Sequence, residues 1–226
     1  MKANIDHSVG NRMLGPYSSE ADKLSMEGAS IENIDLVARN VIGMNQGPFA
    51  MNDLVGLDLF WRKRKSEGKS NPDKFVPDAL CEAGRYGQKN GKGFYVYKDG
   101  RTPESDPAVA EIIKRVADNN RVSRREKITE TEIFERLMYP LINEGFKCLE
   151  EGMAYKSSDV DVCYVFGYGF PRWRGGPLKM AEELGFDTIL AGLNKYRRWG
   201  HKEQYWIPSK LLEKIVSEKK ASLAKL

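Results

Sequence analysis

The chain has 226 residues, a formal net charge of +4 and an ordinary share of charged residues, 30%. These values are typical of a globular protein and do not indicate a dedicated nucleic-acid binder. No apolar run approaches the ~20 residues of a membrane span, and the first residues lack the apolar core of a signal peptide. The three cysteines, Cys81, Cys148 and Cys163, lack metal-ligand spacing and indicate free thiols in a reducing compartment.

Helical patterns fill most of the first half of the chain. Residues 1–8 show no pattern and are predicted to form a disordered tail. A helix is predicted from about Val9 to Gly28, where the glycine serves as C-cap. Ser30 is predicted to cap the next helix, and Gly47-Pro48 to open a third with proline at its first position. Asp58 is predicted to cap a fourth helix, and a short one is expected around Pro77 to Gly84.

Two glycine-containing segments are candidates for nucleotide-binding loops. Gly87 to Gly93 has three residues between its first glycines and a glycine after the lysine, so it departs from the phosphate-loop pattern and is interpreted as a turn. The turn leads into Phe94 to Tyr97, predicted as a short strand or hairpin. Gly167-Tyr168-Gly169 would need a third glycine at Arg172 and a preceding strand, so it is rejected as a dinucleotide fingerprint.

The clearest boundary in the sequence lies at Thr102 to Pro107. A helix from Ala108 to about Asn119 and a basic linker from Arg121 to Lys127 follow it. Thr129 and Glu132 then form a capping box that opens another long helix. These signals predict a first helical domain over 9–103, a linker helix and basic linker over 104–128, and a second helical domain over 129–226.

The two halves carry the same pattern. Five residues of the first long helix recur 124 positions later: Arg12 and Arg136, Pro16 and Pro140, Glu20 and Glu144, Glu27 and Glu151, Gly28 and Gly152. Further on, Gly47-Pro48 corresponds to Gly176-Pro177 at an offset of 129. An interior proline costs a helix ~3 kcal/mol, so its presence at the same place twice indicates a kink with a purpose. The repeat predicts two homologous helical domains packed as an internal pseudo-dimer, and therefore a mainly α fold.

One position of the repeat differs in kind, because Asn11 in the first copy corresponds to Glu135 in the second. From the residues alone, Asn11 is either an N-cap or amide that satisfies backbone groups, or a ligand contact. The two histidines, His7 and His201, have no carboxylate or nucleophile at a telling spacing and are interpreted as surface residues.

The last three residues, Ala224, Lys225 and Leu226, match the small-basic-leucine pattern of a peroxisomal address. The alternative is a lysine-rich helix end without a targeting role. The basic clusters at Arg62 to Lys65 and Arg121 to Lys127 are typical of solvated faces, with attraction of an anionic ligand such as a nucleotide phosphate as the alternative.

The first copy resembles the C-terminal domain of 3-hydroxyacyl-CoA dehydrogenases over nearly its whole length. The resemblance rests on the order and spacing of Val9-Gly10-Asn11-Arg12-Met13-Leu14, Pro16-Tyr17, Glu20-Ala21, Ile34-Asp35, Gly47-Pro48-Phe49, Asp53-Leu54, Gly56-Leu57-Asp58 and Gly91-Lys92-Gly93-Phe94-Tyr95-Val96-Tyr97. The second copy, with Trp173-Arg174-Gly175-Gly176-Pro177 and Tyr205-Trp206-Ile207-Pro208-Ser209, resembles the end of the bifunctional enzymes of peroxisomal fatty-acid β-oxidation.

The resemblance implies hydride transfer between NAD and the 3-hydroxy carbon of an acyl-CoA, with a His–Glu pair as base. It implies that Asn11 contacts the substrate oxygen and that the second copy, with Glu135, is structural. The family's cofactor domain should precede Asn11, where this sequence offers only Met1 to Gly10. We therefore expect no cofactor bound by this chain, NAD in the complete enzyme, and little or no dehydrogenase activity alone.

The expected partners are an acyl-CoA, the cofactor domain of the same enzyme or a full-length paralogue, and the peroxisomal import receptor, with peroxisomal localisation. No nucleic acid and no membrane span are expected. The alternative is a non-catalytic module derived from the enzyme, which holds an acyl-CoA or pairs with a full-length dehydrogenase.

Overall fold

The computed structural model describes residues 8–220 and 222–223. Eleven α-helices lie in this part of the chain: α1 (Val9–Glu27), α2 (Ile31–Val37), α3 (Pro48–Val55), α4 (Asp58–Ser66), α5 (Val76–Glu82), α6 (Pro107–Asn119), α7 (Glu130–Glu150), α8 (Ser157–Gly167), α9 (Pro177–Leu184), α10 (Phe186–Arg198) and α11 (Lys210–Ser217). A π-helical turn, Ala38–Ile42, continues α2. The prediction of a mainly α fold is confirmed.

The capping signals in the sequence place most helix starts correctly. The Ser30 hydroxyl accepts a hydrogen bond from the Asn33 N–H at 3.2 Å, and Thr129 caps α7 through the Glu132 N–H at 3.1 Å. Pro16 and Pro140 lie inside α1 and α7, as the repeat predicts. These local signals hold because a free N–H at a helix start takes the nearest side-chain oxygen.

Two local expectations differ from the structure, and in both a carboxylate is the reason. The strand expected at Phe94 to Tyr97 is reduced to isolated antiparallel bridges such as Val96 with Glu104. The N–H groups of Phe94 and Tyr95 donate to the Asp53 carboxylate at 2.8 and 2.9 Å, so they do not join a ladder. Asp58 is the first residue of α4 and not its cap, since its carboxylate pairs with Lys89.

The described residues divide into two compact units. The first unit contains those up to Glu20, Ile42–Asn45, and those from Phe134 onward. The second contains Ala21–Val41 and Gln46–Ile133. The domain boundaries predicted from the sequence, 9–103, 104–128 and 129–226, and the packing of the two copies as a pseudo-dimer stay predictions.

In the second unit, the buried carboxylate of Asp35 holds the start of α3. The Asp35 carboxylate accepts the Phe49 and Ala50 N–H groups at the start of α3, at 2.9 and 3.0 Å. The Tyr95 hydroxyl donates to the same carboxylate at 2.9 Å. Burial raises the Asp35 pKa to about 6 against the opposing hydrogen bonds from these N–H groups.

In the first unit, Asp161 repeats the role of Asp35. Its carboxylate accepts the Leu178 N–H at the start of α9 at 2.7 Å, and burial raises its pKa to about 6. Gly176 precedes this helix, and a Cβ there would overlap the Asp161 side chain. Gly47 stands in the same relation to Asp35, so both copies need glycine where the aspartate approaches.

Within the first unit, the shared arginines and glutamates of the two proline-containing helices, α1 and α7, are paired across the copies. Arg12 donates from Nε to Glu144 at 3.0 Å, and Arg136 donates from Nε to Glu20 at 2.7 Å. Each arginine therefore meets the glutamate of the other copy. Such an exchange is the pattern of a two-fold interface, in which residue i contacts j and j contacts i.

The Arg136–Glu20 pair is fully enclosed, since both side chains have 0% exposure. The other Glu20 oxygen accepts the Tyr205 hydroxyl at 2.7 Å and the Trp206 indole N–H at 3.3 Å. A buried ion pair is stable only when its remaining polar atoms are satisfied, and the Glu20 carboxylate meets that condition. The Arg12 side chain, by contrast, is 27% exposed.

We expect Arg136→Met to lower the free energy of unfolding by about 3–5 kcal/mol, because Glu20 would remain buried without its charge partner. Urea denaturation followed by circular dichroism measures this loss. Arg12→Met is the matched control at the equivalent position of the first copy, and its loss should be about 1 kcal/mol because solvent reaches that pair. Equal losses for the two variants would contradict the assignment of Arg136 as the critical member.

We expect the stability advantage of the wild type over Asp161→Asn to shrink as the pH rises from 4 to 7. The folded-state pKa of Asp161, about 6, lies above the ordinary aspartate pKa of 3.8. The protonated carboxyl therefore favours the folded state, and this contribution is lost as the pH passes through the folded-state pKa. Denaturation at a series of pH values gives the difference. An advantage that grows with pH would show instead that the Leu178 and Lys179 N–H groups hold the carboxylate ionised.

Candidate substrate-side site

The start of α1 and the end of α8 meet at Asn11, within the first unit. The Tyr168 hydroxyl donates to the Asn11 side-chain oxygen Oδ1 at 2.7 Å. Asn11 is exposed and Tyr168 is half-buried. The residue singled out by the sequence is therefore accessible and already held at one end by a residue of the second copy.

Gly10 makes this approach possible. It is buried, and a Cβ at this position would overlap the Tyr168 ring. Tyr164 packs on the same ring, with centroids 4.9 Å apart and planes at 21°, and its hydroxyl donates to the Gly10 carbonyl oxygen at 3.0 Å. Burial raises the Tyr164 pKa well above its ordinary value, so this hydroxyl remains a donor.

Ser8 takes the capping role that the sequence left open for Asn11. The Ser8 hydroxyl accepts the Asn11 backbone N–H at 3.3 Å, and its carbonyl oxygen accepts the Arg12 N–H at 3.0 Å. The Asn11 side chain is thus not the N-cap of α1. Its amide oxygen faces Tyr168 instead.

The equivalent place in the second copy is built differently. Glu135 accepts the Lys195 ammonium at 2.7 Å and the Tyr196 hydroxyl at 2.6 Å, which makes it part of an ion pair between α7 and α10. The residue before it is Phe134, where the first copy has Gly10. A tyrosine ring therefore has room at the first copy's helix start, and the second copy fills the same position with its own side chain.

The structure describes only one of the remaining residues considered in the sequence, His201. Ala224, Lys225, Leu226 and His7 lie outside the described residues. His201 is half-buried between the Tyr196 and Trp206 rings, with centroids 5.7 and 5.4 Å away, so it is less exposed than expected.

His201 also lies in a group of three possible metal ligands. Its ring, Glu20 and Glu203 bring ligand atoms within 4.8 Å of one another. Glu20 already carries a guanidinium and two further donors, so its carboxylate is best explained by the ion pair with Arg136. A second cation beside a buried guanidinium would be repelled.

Neither glycine-containing segment fits a nicotinamide dinucleotide. Gly87 and Gly93 close around the carboxylate and backbone of Asp53, where a Cβ on either would overlap it. Gly167 ends α8, and Gly169 packs on the Asn45 side chain. A dinucleotide pyrophosphate needs a glycine-rich turn between a strand and a helix N-terminus, and these segments provide neither.

Several arginines of the two basic clusters, Arg62 to Lys65 and Arg121 to Lys127, form ion pairs with carboxylates of the fold. Arg64 pairs with the fully buried carboxylate of Asp78, and Arg125 pairs with Glu132 and with Glu27. These arginines are tied to the fold. The interpretation as structural and solvated charge is thus better supported than a phosphate site.

Comparison with known proteins identifies the class. The family model described as "3-hydroxyacyl-CoA dehydrogenase, C-terminal domain" matches residues 9–97 and 133–225. The chain belongs to this family, and the matched segments fall within the two copies of the repeat. No helix of the described residues is long and apolar enough to cross a membrane.

Particular relatives come from fatty-acid oxidation. The human "Peroxisomal bifunctional enzyme" is 39% identical over 227 residues, 93% of this chain and 31% of that protein. The "Fatty acid oxidation complex subunit alpha" of Idiomarina loihiensis is 35% identical over 200 residues, 84% of this chain and 27% of that protein. The crystal structure of the dehydrogenase part of a C. elegans multifunctional enzyme superposes with a TM-score of 0.74 at 31% identity, covering 93% of this chain and 48% of that one. The chain thus spans about a third of the length of these curated relatives.

Tyr168 is the residue of this site that sequence reasoning missed. It entered only as the middle of a rejected glycine motif, and it is 157 positions from Asn11. No local sequence signal connects Tyr168 with Asn11. The residue that makes their contact possible is Gly10, which lies in the other copy of the repeat.

We expect Gly10→Ala to destabilise the protein by about 1–3 kcal/mol, because the new methyl group would displace the Tyr168 ring. Gly15→Ala on the same helix is the matched control. No atom lies within 4 Å of a Cβ at Gly15, so this change should stabilise by about 0.5–1 kcal/mol through helix propensity.

Thermal denaturation compares the two variants. The double variant Gly10→Ala with Tyr168→Ala should recover part of the loss, since the ring is then absent. A Gly10→Ala protein as stable as Gly15→Ala would contradict the close approach of Tyr168.

Proposed function

We propose that this chain is the substrate-side and dimerisation-like part of an NAD-dependent 3-hydroxyacyl-CoA dehydrogenase of peroxisomal fatty-acid β-oxidation. Family membership and the names of the relatives support the reaction class. The single observation that carries the proposal to a residue is the exposed Asn11 at the start of α1, next to Gly10, which is replaced by Phe134 in the second copy. The substrate class is an acyl-CoA with an oxygen on carbon 3.

In the reaction, NAD supplies the hydride acceptor when it is bound by a cofactor domain. This chain's own contribution is the contact between Asn11 and the substrate's 3-oxygen. An amide N–H donor fixed before the ligand arrives orients that oxygen and favours the charge that develops on it. Neither glycine-containing segment fits a dinucleotide, and we expect turnover to depend on a cofactor domain of the same enzyme or of a full-length paralogue.

Peroxisomal location is part of the proposal. Named relatives such as the human enzyme are peroxisomal, and the final Ala224-Lys225-Leu226 matches the address pattern that an import receptor reads. The bacterial relative shows that the family also works elsewhere. Import of a fluorescent fusion that carries this chain's C-terminus, compared with a fusion in which Leu226 is deleted, tests the address.

We expect the purified chain with NAD and 3-hydroxybutyryl-CoA to form no NADH above a protein-free control in an absorbance assay. Calorimetry should nevertheless show binding of acetoacetyl-CoA, the 3-keto product. Asn11→Ala should weaken this binding about threefold to tenfold, the range of one hydrogen bond.

Glu135→Gln, at the equivalent position of the second copy, is the matched control and should leave the affinity unchanged. NADH formation by the chain alone would overturn the division of labour. Binding without a preference for the 3-oxygen would favour a non-catalytic acyl-CoA module, and a flat titration would favour a protein-interaction module.

A further inference from the structure

We propose that Tyr168 is a positioning residue for Asn11, so that the second copy of the repeat takes part in the substrate site of the first. The inference deepens the proposed function and rests on it for the identity of the ligand. Its geometry, however, stands on contacts within one compact unit. Tyr168 is the C-cap residue directly after α8, and Asn11 lies in the first turn of α1.

The acceptor end of the Asn11 side-chain amide is already hydrogen-bonded. The Tyr168 hydroxyl donates to Asn11 Oδ1 at 2.7 Å, a normal length for a good O–H···O bond. An amide side chain has one acceptor end and one donor end. With the oxygen engaged, a carbonyl oxygen of a ligand is met by Nδ2, the donor end.

Backbone hydrogen bonds hold the turn that carries Tyr168. Its backbone N–H donates to the Tyr164 carbonyl oxygen at 3.1 Å, and that of Phe170 donates to the same oxygen at 3.2 Å. Gly169, at φ 69°, turns the chain directly after the tyrosine, and its carbonyl oxygen accepts the Asn45 N–H at 3.1 Å. The turn that carries Tyr168 is thereby fixed on both sides.

The stacked rings of Tyr164 and Tyr168 contact α1. Tyr164 is fully buried, lies parallel to the Tyr168 ring and donates to the Gly10 carbonyl oxygen. Gly10 leaves the space that the Tyr168 ring occupies. The two tyrosines thus hold both the backbone before Asn11 and its side-chain oxygen.

The hydrogen bond from Tyr168 also changes the polarity of the Asn11 amide. A hydrogen bond to an amide oxygen polarises the amide, and chains of hydrogen bonds strengthen one another. Tyr168 therefore orients the Asn11 amide and also makes its N–H groups better donors. A phenol hydroxyl does this without adding a charge beside the substrate.

The test compares acetoacetyl-CoA with butyryl-CoA, which lacks the 3-oxygen, by calorimetry on the full chain. Tyr168→Phe should weaken acetoacetyl-CoA about threefold to tenfold, the range of one hydrogen bond, and leave butyryl-CoA unchanged. Asn11→Asp keeps an acceptor for Tyr168 and loses the donor, so it should remove the preference for acetoacetyl-CoA. The double variant Tyr168→Phe with Asn11→Ala should match Asn11→Ala alone, because the tyrosine acts through the amide.

A loss of equal size for both ligands in Tyr168→Phe would assign the tyrosine a purely structural role and overturn the inference. The Asn11 side-chain amide signals in ¹⁵N NMR give a readout that needs no ligand. They should shift in Tyr168→Phe and remain unchanged in the control Tyr155→Phe, whose side chain is exposed on the surface.

This readout separates the two proposals. If the wild type does not distinguish the two ligands, the proposed function of Asn11 fails, whereas the NMR shift still decides whether Tyr168 holds the amide. Asn11 signals that do not respond to Tyr168→Phe overturn the inference whatever the ligands do.

Discussion

The buried ion pair of Arg136 and Glu20 is the constraint on which the first unit depends. Both side chains are withdrawn from water, and desolvating two charges is costly unless each finds its partner in good geometry. Glu20 accepts hydrogen bonds from Arg136, Tyr205 and Trp206, so it connects α1 to α7 and to the segment before α11. The reciprocal pair of Arg12 and Glu144 lies nearer to solvent, so the two sides of the exchange differ in how far their charges are desolvated.

At the start of these two helices, two adjacent positions differ in a way that changes the contacts. Gly10-Asn11 in the first corresponds to Phe134-Glu135 in the second. The glycine admits the Tyr168 ring and leaves the amide accessible, whereas Glu135 is consumed by Lys195 and Tyr196. A duplicated element keeps the residues that hold the helices together and is free to change those that face a ligand. The proposed substrate contact therefore lies where the copies differ and not where they agree.

The sequence predicts the elements well because their signals are local. Proline, glycine and serine at helix ends act over three or four residues, and the periodic apolar positions do the rest. The strand at Phe94 to Tyr97 was predicted from its composition, but a distant carboxylate, Asp53, takes the N–H groups that a ladder would need. The partner of Asn11 could not be predicted for the same reason, since Tyr168 is 157 positions away and no local rule connects them. Comparing the two copies residue by residue does find Gly10, which is the one trace of that contact in the sequence.

The proposed role of Tyr168 gives the second copy a part in the substrate site of the first copy. A purely structural duplicate would need only the ion pairs and the buried aromatic residues that fix α7 against its neighbours. The stack of Tyr164 and Tyr168 goes further, because it places one hydroxyl on the backbone and another on the side-chain oxygen of consecutive residues in the first copy. A polar side chain is useful for orienting a ligand only if its own rotamer and amide orientation are fixed beforehand. In the proposed function, the second copy supplies that fixation from Tyr168, the residue that follows α8, so its own lack of a ligand-facing residue at Glu135 does not exclude it from the substrate site of the first copy.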